Sequence, residues 1–124
     1  MKTTLIPADV TNANAHRYPP ESLKQAFVKL PKELTGTIGY VDHPTPSQAA
    51  FKATDFALNE HGDLTVQIEI LDTPCGKELQ KLVEKGQVAF RTCGTGNLDG
   101  DKVVDFEITA LAALLKIDDA FGDL

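Results

Sequence analysis

The chain has 124 residues, 42% of them apolar, enough for one modest core and not for two, so a single domain over residues 1–124 is expected. Twelve Lys and Arg stand against 18 Asp and Glu, a net charge of −6 with no basic run. The leading electrostatic term in nucleic-acid binding would be repulsive, which argues against a DNA-binding role. The longest apolar stretch, Ala110 to Leu115, falls far short of the roughly 18–20 residues of a membrane span, and Met1 to Asp9 hold no signal-peptide core. A soluble protein made in a cytoplasm is expected, with no membrane partner.

In chain order, an extended piece is predicted over Thr3 to Val10. Pro19-Pro20-Glu21 then opens a short amphipathic helix with Leu23, Phe27 and Leu30 at helical spacing, and Pro31 stops it. From Thr35 the pattern turns to strands: Thr37 to Val41, Phe51 to Leu58, and the strictly alternating Leu64 to Ile70. Asn59 to Asp63 reads as the hairpin loop between the last two. Thr73-Pro74 sets an N-cap and a first-turn proline for a second helix carrying Leu79, Leu82 and Val83 to a terminal Gly86. There follow a short strand (Val88 to Arg91), a glycine-rich turn (Gly94-Thr95-Gly96), an Asp99-Gly100 hairpin turn and a long strand from Lys102 into Ala110. This order is α+β: a small curved sheet or β-barrel with two flanking helices. Both chain ends are expected to be docked on the domain or on a neighbour.

Few motifs carry chemistry. Gly94-Thr95-Gly96 lacks the third glycine of a dinucleotide fingerprint, which Asp99 replaces, and the Gly-Lys-Ser/Thr of a Walker loop, so it is read as a tight turn and no nucleotide cofactor is expected. His16, His43 and His61 share no helical register, and Cys75 and Cys93 have no CxxC spacing, so no metal site or disulfide framework is expected. As free thiols, both cysteines are expected to fill the core. His43 stands at a strand end in Gly39-Tyr40-Val41-Asp42-His43-Pro44, where a side chain can be fixed and reachable. A base there needs a nucleophile, and Thr92 and Cys93 are the candidates, with Arg91 and the Gly94 amide as oxyanion stabilisers. Cys93 would be the stronger of the two, since a histidine alongside favours the thiolate.

Four ordered segments resemble the head-maturation (prohead) proteases of tailed phages, in the myophage branch. Asn12-Ala13-Asn14-Ala15-His16-Arg17-Tyr18-Pro19 is similar to that family's Asn-x-Asn-x-Arg-x-Tyr-Pro entry to its first helix. Gly39 to Pro44 resembles its Gly-Glu-Leu-Asp/Asn-His-Pro motif, and Ile68 to Leu79 its strand, Thr-Pro-x-Gly cap and helix. Phe90-Arg91-Thr92-Cys93-Gly94-Thr95-Gly96 falls where the family has Val-Ser-Ser-Arg-Gly-x-Gly. The resemblance implies a prohead-protease, herpesvirus-assemblin-like fold and a serine-type mechanism in which His43 is the base. It also implies that Arg91 stands at the nucleophile, with Thr92 and Cys93 following, and that Ala113 stands at the orienting aspartate. Two of three catalytic positions would then be lost.

Three functions follow as expectations from that resemblance. The favoured one is a virion structural protein that binds the major capsid protein or scaffold as a decoration, cement or assembly protein, located in the phage head. The alternatives are an active maturation protease using His43 with Thr92 or Cys93, and a regulator of an active paralogue. The loop Pro44, Thr45, Pro46 and Ser47 and the N-terminal strand are the expected contact surfaces, and a homodimer is compatible with the amphipathic helices. The chain also reads as shorter than its active relatives at both ends.

Overall fold

A computed structural model describes residues 1–41 and 44–115. Strands β1 (Lys2–Ile6), β2 (Glu33–Ile38), β3 (Ala49–Leu58), β4 (Leu64–Ile70), β5 (Val88–Asp99) and β6 (Lys102–Leu115) build one sheet. Its order is β1-β4-β3-β2-β6-β5, and it curls into a half-barrel flanked by α1 (Pro20–Lys29) and α2 (Pro74–Glu84). All pairings are antiparallel except β2 with β6, which is parallel and is registered at Thr37 opposite Ala112 and Ile38 opposite Ala113. The α+β expectation and the two flanking helices hold, with six strands in the sheet.

The second helix forms for the local reasons its sequence announces. The Thr73 hydroxyl accepts from the Gly76 amide at 2.9 Å and donates to the Ala49 carbonyl at 2.6 Å, so the cap also ties α2 to the start of β3. Gly76 is required because a Cβ there would lie 1.9 Å from the Leu71 carbonyl oxygen. At the other end Gly86, at φ +66°, donates to Val83 and Gln87 donates to Leu82, closing the last turn. Leu79 is buried against the sheet, while Leu23 and Ala26 of α1 are buried on its other flank. Ser22 anchors α1 by donating to the Val103 carbonyl of β6 at 2.5 Å.

Two aromatic pairs mark the centre of the core. Phe51 and Phe90 meet edge to face at 5.0 Å, and Tyr18 and Phe106 at 4.9 Å. Phe51 lies across Gly36 of β2, where a Cβ would fall 2.0 Å from the ring's Cζ. The missing side chain is therefore the seat of the aromatic ring.

Several strand boundaries differ from the sequence reading. The N-terminal strand ends at Ile6, because Pro7 cannot donate to the ladder and Asp9 turns at φ +57°. The next strand begins at Glu33 and stops at Ile38, because Gly39 takes φ +74°. The predicted Gly94-Thr95-Gly96 turn is instead the middle of β5, which runs unbroken from Val88 to Asp99. Gly94 serves close packing there: a Cβ would sit 2.3 Å from the Glu107 carbonyl oxygen of β6. The turn predicted at Asp99-Gly100 is present, with Asp99 pairing Lys102 and Gly100 at φ +64°. β6 passes Ala110 and reaches Leu115 by shifting register opposite Cys93/Gly94 and again opposite Thr95/Asn97. Asp105, in the second break, and Asp55, in the break of β3, both adopt φ +52°, a conformation aspartate tolerates better than most residues. These irregularities bend the long strands around the core.

The segment that resembles the family's first-helix entry acts as a fastener. Asn12 is buried, and its side-chain oxygen accepts from the amides of Asn14 and His16. Arg17 bridges to β6 through its backbone, donating to the Asp101 carbonyl and accepting from Val103. Its guanidinium spans Asp9 at 2.7 Å and Asp101 at 3.1 Å. At the start of the chain, the Met1 ammonium donates to the Ile68 carbonyl at 2.7 Å, so the expected docking of the N-terminal end is present. The expectation for the C-terminal end lies outside the described residues.

The β3–β4 loop ties to the same region. Asn59 accepts from the amides of His61 and Asp63, and Asp63 accepts from the Ala8 amide at 2.7 Å. The Ala8 hydrogen bond is the main reason the Asp63 carboxyl is held below its ordinary value, helped by Asn59 and opposed by partial burial. A carboxyl depressed in the fold stabilises it above the unfolded value and ceases to do so as pH falls through the folded one. Asp63→Asn is accordingly expected to lower the urea midpoint at pH 7, with the difference from the parent closing as pH drops below about 4. Gly36→Ala is expected to cost about 2–3 kcal/mol in the same unfolding measurement, since the added methyl displaces the fully buried Phe51 ring.

Candidate functional site

The face of the sheet opposite the core is organised by β6. Ala112 lies between Thr37 of β2 and Arg91 of β5, and Ala110 lies opposite Cys93. Strand alternation then fixes which β5 side chains face which way. Phe90 and Thr92 are buried, 6% and 0% exposed, and point into the core, whereas Arg91 and Cys93 are only partly buried and take the opposite face.

Beyond Ile38, the Thr37 hydroxyl donates to the Gly39 carbonyl at 2.8 Å, and the Gly39 amide donates to Ala113 at 2.8 Å. This braced turn sends Tyr40 and Val41 over the sheet, and the described chain resumes at Pro44. Between that loop and the sheet lies a cavity of about 210 Å3 whose walls include Thr37, Tyr40, Val41, Pro44, Cys93 and Ala112. A second cavity adjoins it, sharing Thr35, Thr37 and Pro44 and reaching Pro46 and Ala49.

The sequence candidates among the described residues can be located against this cleft. His43 lies outside the described residues, while Val41, two positions before it, and Pro44, the next residue after it, line the same cavity as Cys93. Cys93 is half-buried, and its carbonyl accepts from the Thr109 hydroxyl at 3.2 Å. Thr92 is turned away: its hydroxyl is buried and has no hydrogen-bond partner among the described residues. Arg91 donates to its neighbour's carbonyl, that of Phe90, at 3.3 Å. Burial pushes the Arg91 guanidinium below its ordinary value, while the nearby Tyr40 acts the other way. Gly94 pairs with Ile108 as part of the ladder.

Ala113, matched by the resemblance to the orienting aspartate, pairs with Phe90 and is 1% exposed, on the core side. The residue directly across from Arg91 is Ala112. Ala112 and Ala113 thus each place a methyl group at this point of β6, on opposite faces of the sheet. The described lining of the cleft contains no carboxylate at all.

The loop candidates Pro44, Thr45, Pro46 and Ser47 are exposed, and the turn is self-braced: Gln48 accepts from the Thr45 amide at 2.9 Å and donates its own amide to the Thr45 carbonyl. Cys75, in the first turn of α2, packs against the core, away from this chemistry. Among the described residues, no group of three or more His, Cys, Asp or Glu side chains could hold a metal ion, and no helix is long and apolar enough to cross a membrane. The sequence reading missed Thr37, Tyr40 and Ala112 as walls of the cleft. For Tyr40 a signal existed in Gly39, whose left-handed turn ends β2 and releases the next residues from the ladder.

No protein-family model matches the chain, and no curated protein matches it in sequence. Among solved structures it is similar to the bacteriophage T4 capsid assembly protease, gp21, with a TM-score of 0.74 and 20% identity. That likeness covers 94% of this chain and 82% of the T4 protein. The fold is thus that of a phage prohead protease, as the four ordered sequence segments had implied.

Proposed function

We propose that this chain is a phage head protein of the myophage branch, built on the prohead-protease fold shared with herpesvirus assemblins. In this reading it has lost its catalytic triad and binds the major capsid protein or scaffold as a decoration, cement or assembly protein. The row Thr37, Ala112 and Arg91 across β2, β6 and β5 carries the reading. A serine-type triad needs a nucleophilic hydroxyl beside the histidine and a carboxylate behind it. In that row a guanidinium and a methyl group occupy the cleft face beside the Thr37 hydroxyl, which is donated to the Gly39 carbonyl, and the hydroxyl of Thr92 is sealed in the core. Loss of such machinery costs on the order of a million-fold in turnover in a well-studied serine protease. The net charge of −6 favours protein partners over the packaged genome. Such a protein would be made in the host cytoplasm and retained in the virion, as a monomer or a homodimer, through its exposed loop at Pro44 to Ser47.

The purified protein is expected to co-sediment with assembled capsids at a fixed ratio and to leave scaffold and capsid precursors uncut on gels. Specific cleavage products that disappear in His43→Ala would overturn this reading. Thr92→Val is expected to raise unfolding stability by about 1 kcal/mol, because it removes a buried hydroxyl that has no partner among the described residues while keeping the side chain's shape. A nucleophilic role for Thr92 would show instead as processing that this variant abolishes.

One observation favours a second reading, an active maturation protease of the thiol type. Cys93 lines the cleft together with Val41 and Pro44, two residues before and one residue after His43 in the chain. That reading predicts labelling of Cys93 by a thiol-directed electrophile at neutral pH, blocked by His43→Ala, and loss of precursor processing in Cys93→Ala. Processing that survives Cys93→Ala eliminates it.

A further inference from the structure

We draw no further inference here: the strongest candidate, the sheet edge formed by β5 where it runs beside the cleft that Cys93 lines, is continuous with the site already described, and nothing in the structure shows what covers it.

Discussion

The parallel contact of β2 with β6 holds the molecule together as one sheet. On one side of it lie β1, β4, β3 and β2, and on the other the β5–β6 hairpin. The registered join is two residue pairs long, Thr37 with Ala112 and Ile38 with Ala113, extended by the Gly39 amide donating to Ala113. Closing the chain between Thr37 and Ala112 costs about 4 kcal/mol of loop entropy, which so short a ladder does not offset alone. Packing beneath it supplies the remainder: Phe51 from one half meets Phe90 from the other, and Phe51 reaches that position because Gly36 has no side chain. The floor of the cleft and the central aromatic pair are two faces of one junction.

A second set of contacts fastens the segment after β1 to β6. The stretch from Asp9 to Tyr18 has little regular structure, yet it is held at both ends. Arg17 is hydrogen-bonded through its backbone to Asp101 and Val103, and Tyr18 is buried against Phe106. The exposed guanidinium pairs with Asp9 and Asp101 are the weaker part of this arrangement, since such pairs contribute little in water. The conspicuous Asn12 to Pro19 motif thus has a structural account: Asn12 satisfies two of the segment's own amides, Arg17 ties it to β6, and its tyrosine fills the core.

Much of the fold was legible because it is encoded locally. The Thr73 cap, Pro74 and the terminal Gly86 specify α2 from within one short stretch of chain, and the alternation of Leu64 to Ile70 specifies β4 by itself. Gly94 to Gly96 was misread for the opposite reason. A glycine that makes room for a neighbouring strand is indistinguishable in sequence from one that makes a turn, and only the Glu107 carbonyl tells them apart. The β2–β6 pairing was invisible, since it joins distant segments with no shared pattern. The orientation of Thr92, by contrast, could have been read. Phe90 belongs to the core, and a residue two places along the same strand shares its face. That step separates Cys93, in the cleft, from Thr92, which is not.

The parallel junction also sets an order of events in time. The β5–β6 hairpin is made of near neighbours in the chain and can form early, whereas the β2–β6 contact must wait for distant segments to meet. The cleft has no floor until that meeting occurs, so the cavity beside Cys93 takes shape only once the two halves of the sheet have joined.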